Sequence, residues 1–336
     1  MMMLRVMMGI NLFSAALHAE APPPPTTATV PAVAPAITLR AGELSALIHL
    51  PDAEHGHYRG SRFDWSGMIG EVRLGGDIFW NEWNPSPNAT ADHDNATGPA
   101  MEFGMEAPVG YDDAAVGEGF IKIGVGVLKR LNDKPYFFRG AYPILDTGTW
   151  TVQPDDSGRE VTFVQNLTFG DYGYTYEKRV ALAGDQSLLI ACRLVNTGSK
   201  PLQSEVYAHN FYRPGSEGWV PGLSVTFDQS IKPAKNAIPL GAADFAADAV
   251  RVTQLLPENQ GAWIPLDYDA ARPPRSYRVV KDGRLHMEVT FDFDPSRIVV
   301  YGLTETLCVE PFRKIDLQPG QHVTWSYTHR FEAIDK

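Results

Sequence analysis

Two residues in this chain are well placed to move protons: a histidine inside one strand-like run and a glutamate inside another. His209 sits in Glu205-Val206-Tyr207-Ala208-His209-Asn210-Phe211. With the two-residue period of extended chain, Glu205, Tyr207, His209 and Phe211 share one face and Val206, Ala208 and Asn210 the other. An acid, an imidazole and two aromatic rings on one face suit a sugar, because rings stack on its C–H faces and polar tips address its hydroxyls. Glu310 lies in Leu307-Cys308-Val309-Glu310-Pro311. A carboxylate among such neighbours is costly unless it is hydrogen-bonded, paired or used. On facing strands the two residues supply one general acid and one general base. The bland readings are a core histidine bonded to a nearby carbonyl, and a strand-end glutamate paired with Arg313 or Lys314.

The segments that must position this pair read as β structure. Tyr172–Leu182 alternates in polarity, and Ser187–Val195, Leu285–Phe293, Arg297–Thr304 and Val323–Phe331 repeat the pattern. Turn signals separate them: Gly184-Asp185, Asn196-Thr197-Gly198, Asp282-Gly283 and Pro319-Gly320. Asp282-Gly283 predicts a hairpin. Ala242–Val250 is the one stretch that reads as a short helix. So many antiparallel strands over this length predict an all-β chain folded as one large antiparallel β-sandwich.

The chain has 336 residues and a formal charge of −11, which argues against a nucleic-acid groove. Residues 1–21 have the form of an export signal: Arg5, an apolar stretch from Met7 to Leu17, then Ala19-Glu20-Ala21 as a small-x-small cleavage site. That stretch is too short to span a bilayer. The expected address is the periplasm or the cell exterior, with no membrane contact after signal cleavage. Residues 22–38, rich in Pro, Ala and Thr, read as an extended linker, and residues 39–336 as a single folded domain. Cys192 and Cys308 each lie in an apolar run, and an exported protein leaves both a bridge and two buried free thiols open.

Further candidates lie in the N-terminal half. Arg59 and Arg62 carry planar paired donors that fit hydroxyls or a carboxylate, or else pair structurally with Asp64, Glu102 or Glu106. Trp65 offers a stacking platform or core packing. Lys122 points away from Ile121 and Ile123 and can enter a cleft. With Tyr207 and Asn210 beside the histidine, the candidate substrate contacts are Arg59, Arg62, Asp64, Trp65, Glu102, Lys122, Tyr207 and Asn210. The acidic run Glu102, Glu106, Asp112, Asp113 and Glu118 lacks calcium-loop spacing and reads as a solvated rim. His55-x-His57 puts two rings on one strand face without a third ligand in register, so no metal is expected there.

The run into Asn196-Thr197-Gly198, the His209-Asn210-Phe211 strand, and Cys308-Val309-Glu310-Pro311 followed by Leu317-Gln318-Pro319-Gly320 resemble the galactose mutarotase-like superfamily of aldose 1-epimerases and glucose-6-phosphate 1-epimerases. The similarity covers mainly residues 160–331. It implies a large antiparallel β-supersandwich, with His209 as general acid and Glu310 as general base. Asp267 and Asp269 are candidates for the family's middle aspartate. The implied reaction is ring opening of an aldose, rotation of the aldehyde and closure on the other face, which needs no metal or organic cofactor. Three functional classes follow: an aldose 1-epimerase-like isomerase, a polysaccharide lyase or hydrolase on a related sandwich, and a non-catalytic carbohydrate-binding protein. Each takes a small or oligomeric carbohydrate as its partner.

Overall fold

A computed structural model of the chain describes residues 34–83, 90, 96–258 and 260–334. The signal segment 1–21 and most of the linker lie outside these residues. The linker's last residues, expected to be tether, instead open the first strand, Ala36–Ala41.

Two sheets carry the architecture. A ten-stranded sheet runs Ala243–Phe245, Ala249–Val252, Leu223–Phe227, Ser276–Lys281, Leu285–Phe291, His322–Ala333, Ser187–Asn196, Tyr172–Leu182, Glu160–Phe169, Thr149–Pro154. A six-stranded sheet runs Ile231–Pro233, Ala262–Tyr268, Arg297–Leu303, Thr306–Leu317, Leu202–His209, Ala100–Phe103. The pairings are antiparallel throughout. Ile190, Leu194, Met287, Val289 and Trp325 from the larger sheet meet Val206, Ala208, Ile264, Val300, Leu307 and Val309 from the smaller in one apolar core. Such burial is the main stabilising term of a sandwich.

The expected strands appear within one or two residues of their predicted ends, and all-β holds. In the Asp282-Gly283 hairpin both residues are left-handed, at φ 54° and 66°, as the tight hairpin turn requires. The exception is Ala242–Val250. It is no helix but two short strands, Ala243–Phe245 and Ala249–Val252, paired at the edge of the larger sheet. Sheet pairing there overrides the helix preference of an alanine-rich run. Among the described residues the helical turns are two short 3-10 turns, Pro214–Ser216 and Leu240–Ala242. No helix of these residues is long and apolar enough to cross a membrane.

The outer face of the six-stranded sheet is not bare. Tyr58, Phe63, Trp65, Met68, Tyr111, Phe120 and Tyr142 form a second apolar cluster over it, and this cluster takes in Ala100, Phe211 and Cys308 from the sheet side.

Candidate active site

Strand parity creates the site. In Leu202–His209 and Thr306–Leu317 the residues Val206, Ala208, Leu307 and Val309 turn into the core. Their neighbours Tyr207, His209, Cys308 and Glu310 therefore face the other side. The two strands pair with Val206 opposite Arg313, and the same register returns at the bridge between Tyr212 and Leu307. Carried across the gap, it sets His209 opposite Glu310. Nε2 of His209 lies 3.5 Å from Oε1 of Glu310.

Between those pairings the ladder opens. The Asn210 side-chain amide donates to the Val309 carbonyl, and the Phe211 N–H reaches Cys308 Sγ at 3.3 Å. Phe211 adopts a left-handed φ of 50°, which brings its ring onto His209. Gly98 packs so tightly on the Asn210 carbonyl that a Cβ there would overlap it.

Glu310 and His209 are 6% and 5% exposed, so water does little to stabilise a charge on either. Burial pushes the Glu310 carboxyl up to about 8; the Arg62 charge opposes this, Glu102 adds to it and Arg297 opposes it again. Oε1 of Glu310 has no hydrogen-bond partner within the protein. The Cys308 thiol lies 3.1 Å from His209 Nδ1. Burial, reinforced by the nearby Glu310, lifts this thiol well above its ordinary range and keeps it protonated. While the imidazole is neutral, the protonated thiol can donate to Nδ1 and leave the ring proton on Nε2, toward Glu310; once the imidazole is cationic, Nδ1–H donates to the sulfur instead.

Beside the pair lies a buried charged network. Glu102 accepts from Arg62 Nε at 2.9 Å, Lys122 Nζ at 3.2 Å and the Tyr207 hydroxyl at 2.5 Å. Arg62 also donates to Tyr207 at 3.2 Å and sits 4.5 Å over the Phe63 ring. Burial alone would raise the Glu102 carboxyl, but the Arg62 and Lys122 charges outweigh it and hold Glu102 below its usual range. Burial lowers the Lys122 ammonium to about 8 against the pull of Glu102. A cavity of about 260 Å³ opens next to Tyr207, lined also by Glu106, Glu205, Arg297 and Phe312.

Five of the ten predicted site residues, then, gather with His209: Glu310, Arg62, Glu102, Lys122 and Tyr207. Four do not. Arg59 turns to the Glu54 carbonyl at 2.7 Å. Asp64 is fully buried in another network, 3.2 Å from Lys178 and bonded to Ser66 and Tyr176. Trp65 is core packing, its indole N–H on the Gly60 carbonyl at 2.8 Å. Asn210 points back toward Val309 and Tyr277, where its role is to hold the opened ladder. Asp267 and Asp269 line a different cavity, with Lys232 and Tyr268. Cys192 and Cys308 are buried free thiols. Within the acidic run Glu102 is no rim residue, whereas Glu106, Asp112, Asp113 and Glu118 are solvent-facing.

Sequence reasoning put Phe211 on the His209 face but passed over Cys308 as part of the site. Parity with Glu310 was the signal that could have found it. Phe63 and Tyr301, whose rings meet His209 edge-on at 5.5 and 5.4 Å, carry no local signal.

No family model matches the chain, and no curated protein matches it in sequence. Solved structures do. A protein from Synechocystis superposes with a TM-score of 0.56 at 12% identity, covering 92% of this chain and 99% of that one. A galactose mutarotase related enzyme from Lactobacillus acidophilus gives 0.53 at 12% identity over 89% and 100%. The chain has the galactose mutarotase-like fold. A galactose 1-epimerase from Lactobacillus acidophilus NCFM shares this mutarotase-like fold at a TM-score of 0.51 and 12% identity, over 90% and 99%. At these identities the likeness is one of architecture, and the chemistry has to be argued from the side chains.

Proposed function

We propose that the chain is a carbohydrate-active isomerase of the aldose 1-epimerase type, exported to the periplasm or beyond. The observation that carries this reading is the His209–Glu310 pair, 3.5 Å apart on one sheet face. Mutarotation removes the proton from the anomeric hydroxyl and delivers one to the ring oxygen. Both oxygens are bonded to the same carbon. Two groups this close can therefore reach them from one side, and the sugar need not lie between them.

In this mechanism Glu310 is the base and His209 the acid. A carboxyl lifted to about 8 is a stronger base than an ordinary one and titrates close to neutral pH, where general catalysis is most effective. The ready form is ionised Glu310 with protonated His209; the opposite form, neutral glutamic acid beside neutral imidazole, differs only in which partner holds one proton. Arg62 lends positive charge that favours the ionised carboxylate. Each proton transfer contributes about 10²–10⁴-fold in rate. Because both side chains are nearly buried, a sugar reaches them only when the cover around Phe63 gives way; a cavity that Tyr207 lines lies beside the same network.

A uronate lyase is less well supported. It asks Arg59 or Arg62 to neutralise a substrate carboxylate, and Arg59 is turned to a backbone carbonyl while Arg62 is committed to Glu102. The burial of the pair favours a non-catalytic sugar-binding protein as the second reading. The deciding experiment is exchange NMR of anomers across neutral aldoses, sugar phosphates and uronates. Accelerated exchange that disappears in both His209→Ala and Glu310→Gln, with the fold intact by circular dichroism, supports the assignment. Saturable sugar binding with no acceleration leaves the binding protein, and exchange that survives in either variant removes these roles.

A further inference from the structure

A second cluster of ligand-type side chains lies outside this site. His49 ends the strand Leu44–His49, His57 lies in the following loop, and Glu82 comes just after the strand Asp77–Trp80. We infer that His49, His57 and Glu82 form a binding site for a divalent transition metal of the zinc class.

The geometry is the first support. One donor atom from each of the three residues lies within 4.8 Å of the others. His57 Nδ1 and Glu82 Oε1 are 3.8 Å apart, and the two imidazoles lie face to face with centroids at 3.8 Å and planes 9° from parallel. Tetrahedral coordination at about 2.1 Å brings donors to roughly 3.4 Å from one another. Closing the set draws the donors together by up to about 1.4 Å and tilts the two stacked rings so that an in-plane lone pair of each meets the ion. Two imidazole nitrogens and one carboxylate oxygen are the donors of an open zinc site, with the fourth position left for water.

The second support is His49 itself. It is 8% exposed, yet neither ring nitrogen has a hydrogen-bond partner within the protein. A buried imidazole without partners is costly. A metal ion satisfies one nitrogen outright. The ring has this position because residue 70 is glycine, where a Cβ would come within 2.5 Å of His49 Nε2.

The third support is access and rigidity. The Glu82 side chain is 42% exposed, so an ion can arrive from solvent. Its backbone is fixed: the Arg213 guanidinium donates to the Glu82 carbonyl and the Ser216 carbonyl, and the Asn81 amide reaches Ser216 Oγ at 3.0 Å. The sequence offered His55 as partner to His57. Instead His55 is exposed beside Asp52, and the other two ligands come from the end of the preceding strand and from the chain just after the strand Asp77–Trp80.

The test uses the tag-free chain, dialysed against chelator and titrated with Zn²⁺ by calorimetry and with Co²⁺ by visible absorption. One equivalent should bind, and His57→Ala and Glu82→Gln should each weaken it by about 100-fold or more. These two positions carry the test because both lie partly in solvent, whereas replacing His49 opens a hole in the fold. The buried trio His209, Cys308 and Glu310 also has metal-ligand chemistry, so Cys308→Ser is the control and should leave affinity unchanged. No bound equivalent, unchanged affinity in both ligand variants, or a thiolate charge-transfer band with Co²⁺ that vanishes in Cys308→Ser would each overturn the assignment.

Discussion

Phe211 lies flat on His209, ring centroids 4.0 Å apart and planes 19° from parallel. Trp83 covers its far side at 5.2 Å and 6°. The imidazole thus ends a three-ring stack. An aromatic face beside an imidazole favours its cationic form, the form a general acid needs, by about 0.5–2 kcal/mol. Phe211→Leu should slow anomer exchange at neutral pH by a factor of about 2–30 and move the alkaline limb of the pH profile to lower pH. A profile that superposes on that of the wild type would show that the stack packs the ring without tuning it.

Stability should depend on pH through Glu310. Its carboxyl is raised from 4.5 to about 8 in the fold, so the native state holds a proton that the unfolded chain has already released. The stabilisation is complete below the unfolded value and is lost as pH rises through about 8. Glu310→Gln cannot ionise and escapes this loss. Urea denaturation at pH 5, 7 and 9 should show the variant gaining on the wild type at each step; parallel behaviour across that range would mean that the carboxylate is compensated in the fold.

Neither cysteine should react readily with a thiol reagent. Burial pushes Cys192 up to about 12 and lifts Cys308 well above the ordinary thiol range, and thiolate is the reactive species. Ellman's reagent at pH 8 should release two equivalents only after denaturation. Rapid native labelling would place at least one thiol in contact with solvent.

The Glu102 network should be unforgiving of partial removal. Glu102→Ala leaves Arg62 and Lys122 buried without their counter-charge, and such a break costs about 3–5 kcal/mol. Adding Arg62→Met should recover part of that loss, because one uncompensated charge goes with it. A double variant as unstable as the sum of the two singles would mean that the two residues are not energetically coupled.

How much of this was legible in the sequence follows from range. Alternation over eight to twelve residues located the long strands, and the parity within Leu202–His209 and Thr306–Leu317 sufficed to put His209 and Glu310 outside the main core. Reasoning by parity failed where there is no strand. Arg62 and Asp64 are two apart, but they lie in irregular chain, and one joins Glu102 while the other turns to Lys178. The roof over the site was invisible for a related reason. Phe63, Tyr301 and Cys308 converge on His209 from segments up to 146 and 99 residues away, and nothing local to any of them records the meeting. His49 shows the same limit, since its companions are chosen by the packing of three separate segments.

Alternation also makes the arrangement brittle in one specific way. Losing or gaining a single residue within Leu202–His209 would trade the two sides of that strand, sending the imidazole in among the valines and leucines and turning Val206 and Ala208 outward. Lengthening the turn at Asn196-Thr197-Gly198 leaves the sides as they are. A variant with that turn lengthened should keep His209 and Glu310 opposite each other, whereas one that loses a residue inside the strand should keep the sandwich and lose the pair.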